Sequence, residues 1–181
     1  MLLDTSVVRD VADALDGRFD PATDPDPVRR ERLVAAARLR MYGERDRSGW
    51  YVVTYHDAKR SAEARGDAAW SVGFLPDLST FEDAPPATDV EALVGEYLHV
   101  GIDVEPAHAL AYAVLYQPVE ALVTEEPHRY HHAREFDLPD RLEILSSSTA
   151  FERFRIPAGE EPVLGPPPGS PLESGAHWWV P

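Results

Sequence analysis

Two apolar stretches of this chain end in acids. Met1-Leu2-Leu3 runs into Asp4, and Ala121-Leu122-Val123-Thr124 runs into Glu125 and Glu126. In open α/β sheets, ligands bind beyond the carboxyl ends of the strands. If the two stretches are neighbouring strands, their carboxylates converge. Two like charges about 4 Å apart repel by about 4 kcal/mol at an effective dielectric of 20. Such a cluster therefore calls for a cation or for a raised pKa, and hard divalent cations take oxygen ligands of this kind. A plainer reading stands beside it, in which Asp4 caps the first helix and the glutamates are solvated loop residues. His128, His131 and His132 follow directly. On a helix, His128 and His132 would share a face and could ligate a metal. Off a helix they form a polar loop, with His131 or His132 available to contact phosphate or carry a proton.

The elements that must position these residues alternate between strand and helix. After the strand at residues 1–4, Val7, Val8, Val11, Ala14 and Leu15 recur at helical spacing, with Thr5 or Ser6 as the expected cap. Proline and aspartate make 20–27 a loop. Leu33, Ala36, Ala37, Arg40 and Met41 mark a second helix over 28–42, with Gly43 as its terminator. Aromatic and β-branched residues predict a strand over 50–54, and a helix should follow over 55–65. Residues 67–87 give no clear pattern. A helix is expected over 89–99, closed by Gly101. A very apolar one should cover 107–116, with Pro106 in its first turn. Strands follow at 119–124 and 142–145, then a hydroxyl-rich turn, Ser146-Ser147-Ser148-Thr149. Strands of this kind, separated by helices, predict a parallel sheet covered on both faces.

Composition narrows the function classes. The chain has no cysteine, which excludes disulfides and thiolate metal sites. It has no run of eighteen apolar residues and no basic, apolar leader, so a cytoplasmic protein with no membrane partner is expected. A formal net charge of −15 opposes non-specific binding to a phosphate backbone. Arginines crowd the segment from Arg29 to Arg47, either as a local basic face or as plain compositional bias. Tyr97, Tyr112 and Tyr116 suit a core or the contact of a homodimer better than a base-stacking platform. No Gly-x-Ser-x-Gly, phosphate-loop or Gly-x-Gly-x-x-Gly pattern is present. The last 25 residues hold seven prolines and four glycines, so 151–181 reads as an extension to a domain spanning 1–150. Its end, His177-Trp178-Trp179-Val180-Pro181, is apolar enough to pack on the domain or on a partner.

Three segments in order resemble PIN-domain proteins over about residues 1–146. They are MLLDTSVV at the start, EPAHALAYA from Glu105 to Ala113, and ALVTEEPHRY from Ala121 to Tyr130. The resemblance implies a three-layer α/β/α sandwich with a central parallel sheet. It also implies a ribonuclease site in which about four acids hold magnesium or manganese and metal-activated water attacks a phosphodiester. RNA is then the expected substrate, and a toxin-like protein would have an antitoxin-like protein partner. Asp4 and Glu126 fall on catalytic, metal-holding positions, and His108 falls where the family has a further aspartate.

The match is incomplete. Counted from Thr54, the family's early helical glutamate falls near Arg60, beside Lys59, with Asp57 and Glu63 a turn away on either side. Asp4, Glu126, neutral His108 and Arg60 would sum to −1, too little for two divalent ions. One ion is conceivable, helped by Asp57 or Glu125, and an imidazole ligand would favour manganese or another transition metal. Alternatively an inward arginine replaces the ion and pairs with the carboxylates. Two functions follow: a divergent metal-dependent nuclease, or a catalytically silent fold kept for protein interaction or regulation. A third possibility is an unrelated small α/β protein whose strand-end acids coincide by chance.

Overall fold

A computed structural model of the chain describes residues 1–15, 25–43, 49–50, 78 and 82–154. Its centre is a four-stranded parallel sheet of very short strands. In chain order the elements are β1 (Leu2–Leu3), α1 (Thr5–Leu15), α2 (Pro27–Gly43), β2 (Gly49–Trp50), α3 (Ala87–His99), α4 (Val104–Leu115), β3 (Ala121–Val123), a 3-10 segment (Pro127–Glu135), β4 (Glu143–Leu145) and α5 (Ser147–Arg153). The sheet order is β2-β1-β3-β4. Leu2 and Leu3 of β1 lie opposite Leu122 and Val123 of β3. The two acid-ending strands are therefore neighbours.

Alternation along these strands splits the apolar residues between two clusters. Leu2 and Leu122 pack with Val90, Val94, Leu110 and Tyr112 of α3 and α4. Leu3, Ala121 and Val123 pack with Val7, Val8, Ala36, Leu39 and Ala150 of α1, α2 and α5. A strand of two or three residues makes few ladder bonds, so burial on both faces holds the sheet. Fully burying one leucine contributes about 1.5–3 kcal/mol, and Leu2, Leu3 and Leu122 are all inaccessible.

Helix α4 is apolar almost all round and nearly wholly buried, as such a helix must be. It begins at Val104, which places Pro106 at its third position. The turn before it is closed by Gly101, at φ +92°. The amides of Gly101 and Ile102 donate to the Leu98 and Tyr97 carbonyls, at 3.1 Å each. This left-handed closure of α3 favours glycine.

Two elements depart from expectation. The residues after β4 form a helix, because Ser146 Oγ accepts from the Thr149 amide at 3.2 Å and so caps α5. That helix runs across position 150, the expected end of the domain. The three histidines lie on a 3-10 segment, whose threefold turn gives His128 and His132 no shared α-helical face. The expected strand residues 51–54, the helix over 55–65 with Asp57, Lys59, Arg60 and Glu63, and the proline-rich extension from 155 onward lie outside the described residues. No described helix is long and apolar enough to cross a membrane.

Candidate functional site

The site forms where β1 and β3 end. Asp4 continues β1, its amide donating to the Val123 carbonyl at 3.0 Å. Its side chain is fully buried. Oδ1 accepts from the Ser6 amide (2.9 Å), the Val7 amide (3.3 Å) and the Ser6 hydroxyl (2.5 Å). Asp4 is thus the N-cap of α1, taking donors that no turn of that helix can satisfy. This corrects the expectation that Thr5 or Ser6 serves as cap. Ser6 Oγ also accepts from the Glu125 amide at 2.8 Å, which ties the ends of β1 and β3 together. Asp4 Oδ2 accepts from the Tyr130 hydroxyl at 3.2 Å.

The second acid is Glu105, in the first turn of α4, and it is buried. Its Oε1 accepts from Thr5 Oγ1 at 2.6 Å and from the Thr5 amide at 3.4 Å. Its Oε2 lies 2.7 Å from Arg129 Nη1. The same Nη1 lies 3.2 Å from Glu126 Oε2. One guanidinium nitrogen therefore bridges an acid of α4 and an acid beyond β3. Arg9 Nη2 stands 3.8 Å from that Glu126 oxygen.

Burial dominates the proton affinities here. It pushes the Asp4 carboxyl up, against hydrogen bonds from Ser6, Thr124 and the first amides of α1 that pull it down. Burial also pushes Glu105 up; the Asp4 charge adds to this, while Thr5 and Arg129 oppose it. Tyr130, wholly enclosed, is held well above its ordinary value by burial and by the two neighbouring acids. Burial works against the charge of Arg129, but Glu105 and Glu126 outweigh it and keep the guanidinium protonated.

Of the residues expected at this site, Asp4 and Glu126 are brought to it, and Arg129 connects the Glu126 side to the acid beside Asp4. His108 is directed elsewhere. Its Nδ1 lies 2.7 Å from the Val104 carbonyl and its Nε2 3.2 Å from Glu91 of α3. It thus pairs with its own helix and the next one rather than with Asp4. Glu125 is engaged as well, accepting from the Ser147 amide at 2.9 Å. The acid that faces the site from α4 is Glu105, three residues before His108. An acid in the first turn of the most apolar helix was the sequence signal for it. His128 and His131 line an open cleft of about 510 Å³ outside the acids, together with Arg9, Glu126, Arg129, Asp103 and Gly101.

Among the described residues, no three His, Asp or Glu side chains gather so as to hold a metal ion. A cation centre at Asp4, Glu105 and Glu126 does not fit the arrangement, since a guanidinium bridges two of the three acids. No protein-family model matches the chain. No curated protein and no solved structure matches it either.

Proposed function

We propose that the chain is a PIN-like domain, a three-layer α/β/α sandwich, retained as a binding or regulatory module rather than as a nuclease. The observation that carries this reading is the Arg129 bridge between Glu105 and Glu126. A divalent ion would have to displace a guanidinium that already neutralises these acids. Asp4, the third acid, is taken up as a helix cap and by Tyr130. The order of the three sequence motifs and the adjacency of β1 and β3 support the PIN-like frame. A protein partner, such as the antitoxin-like partner of PIN-type toxins, is the class of ligand this role implies.

A rival reading, a ribonuclease dependent on magnesium or manganese, draws on one observation. Asp4 and Glu105 are kept as neighbouring buried acids although burial works against their charge. Titration of the chain with manganese to millimolar concentration, followed by thermal melting and by cleavage of a labelled RNA, separates the two. The silent reading expects no stabilisation and no cleavage. Metal-dependent cleavage that disappears in Asp4→Asn would sink it.

A further inference from the structure

The cleft beside the acids holds two guanidiniums whose donors are only partly used. Arg129 commits Nη1 to Glu105 and Glu126. Among the described residues its Nε and Nη2 make no hydrogen bond. That edge, with two parallel N–H groups, is the one that grips a carboxylate or phosphate in a fork. Arg9 donates through Nε to the Thr5 carbonyl at 3.2 Å, and its Nη2 reaches only the long contact to Glu126. Both arginines line the cleft. Arg129 is anchored by its ion pairs and Arg9 by one backbone bond. The donors are therefore positioned before any ligand arrives, which lowers the ordering cost of binding.

From this geometry we infer that the cleft is a binding site for a small phosphate-bearing anion, held by Arg9 and the Nε–Nη2 edge of Arg129. Its volume, about 510 Å³, lies within the range of about 300–1,000 Å³ for small-molecule sites. Glu126 and Asp103 in the same wall limit the attraction, so binding is weak and depends on the fork rather than on net charge. The chain's −15 charge argues for a compact ligand over a polyanion, because a long phosphate backbone meets that field along its length. This inference shares the Arg129 bridge with the silent reading, but a failure to bind anions leaves the outcome of the manganese titration, and so that reading, untouched.

The test is calorimetric titration of the whole chain, at low salt, with inorganic phosphate and with a nucleoside 5′-monophosphate. Arg9→Gln and Arg129→Gln are compared with Arg153→Gln, an arginine that pairs with Glu143 away from the cleft. We expect saturable one-site binding at millimolar concentration, weakened at least tenfold by Arg9→Gln and unchanged by Arg153→Gln. Tighter binding of the nucleotide shows that the rest of the cleft takes part; equal binding shows that the phosphate alone is recognised. Both support the site. Circular dichroism confirms that Arg9→Gln is folded, and that variant decides the test if Arg129→Gln is not. No saturable binding of either probe, full retention in Arg9→Gln, or equal loss in Arg153→Gln overturns it.

Discussion

Two part-buried guanidiniums flank helix α4. At its carboxyl end Arg141 Nη2 donates to the carbonyls of Val114 (2.6 Å), Ala113 (3.3 Å) and Tyr116 (3.3 Å). The Val114 and Ala113 carbonyls are acceptors that the helix leaves open, at the end where a positive charge is favoured. At the amino end Arg129 meets side chains instead: Glu105 from the helix and Glu126 from beyond β3. Backbone carbonyls have no other state to adopt. Carboxylates can take a proton, a metal or a different cation. The first arginine is thus a fixed brace, and the second is a counter-charge in a place where other cations compete.

The brace should cost more to remove. Arg141→Ala leaves the Ala113 and Val114 carbonyls without this donor, while Tyr116 keeps the Val119 amide at 2.9 Å, and a loss of about 2–4 kcal/mol is expected. Chemical denaturation would show it as a fall in midpoint with little change in slope. An effect below about 1 kcal/mol would mean that water replaces the guanidinium and that the two ends of α4 are alike.

Arg129→Gln comes next, with an expected loss of about 1–3 kcal/mol. Breaking a fully buried pair costs about 3–5 kcal/mol, but the Arg129 side chain is 21% exposed and that of Glu126 37%, so solvent screens part of the interaction. The variant also removes a group that pulls the Glu105 pKa down. The same denaturation measured at several pH values should find the loss growing as pH rises, because Glu105 is then charged without its partner. A loss independent of pH would place the role of Arg129 in packing rather than in charge.

The acids themselves predict a direction for wild-type stability. Asp4 and Glu105 both have raised folded pKa values. Between the ordinary carboxyl value near 4 and those raised values, the folded chain holds protons that the unfolded chain has released. Their contribution to stability is therefore present at low pH and lost as pH rises through that window. Asp4→Asn removes one of the two groups while keeping an oxygen that can cap α1. The variant should match or exceed the wild type by up to about 1 kcal/mol at pH 7 and show a flatter pH profile, read by thermal melting in a buffer series. A loss above about 2 kcal/mol at neutral pH would show that the Asp4 charge stabilises the fold.

Much of this was legible in the sequence, for physical reasons that also explain what was missed. Leu2-Leu3-Asp4 and Leu122-Val123-Thr124 read as strands because short runs buried on both faces must be apolar and must end where polar groups can be met. The apolar spacing showed the two helices, read as 89–99 and 107–116, where the structure has 87–99 and 104–115. The residues after β4 read as a turn because a seven-residue helix opening on two serines, behind the cap Ser146, has little apolar pattern, and its capping bond is visible only in three dimensions. An arginine among the carboxylates was anticipated, but at Arg60, which lies outside the described residues. Arg129 carries no mark that separates it from a loop arginine until Pro127–Glu135 folds back over the acids. The contrast between Glu105 and His108 is the sharpest case: both lie in α4, and local spacing could not say which one faces β1.

That contrast gives the smallest expected effect and the cleanest control. His108 bonds to the Val104 carbonyl of its own helix and to Glu91, whose side chain is 64% exposed. His108→Ala should therefore cost about 0.5–1 kcal/mol, the worth of an ordinary hydrogen bond. It should leave the pH profile set by Asp4 and Glu105 unchanged, and any anion binding in the cleft unchanged as well. Glu105→Gln, three residues earlier, should flatten that profile and loosen Arg129. If instead His108→Ala alters the profile as much as Glu105→Gln does, then α4 turns its histidine toward Asp4 in solution. The arginine bridge would then be one of two arrangements of the site.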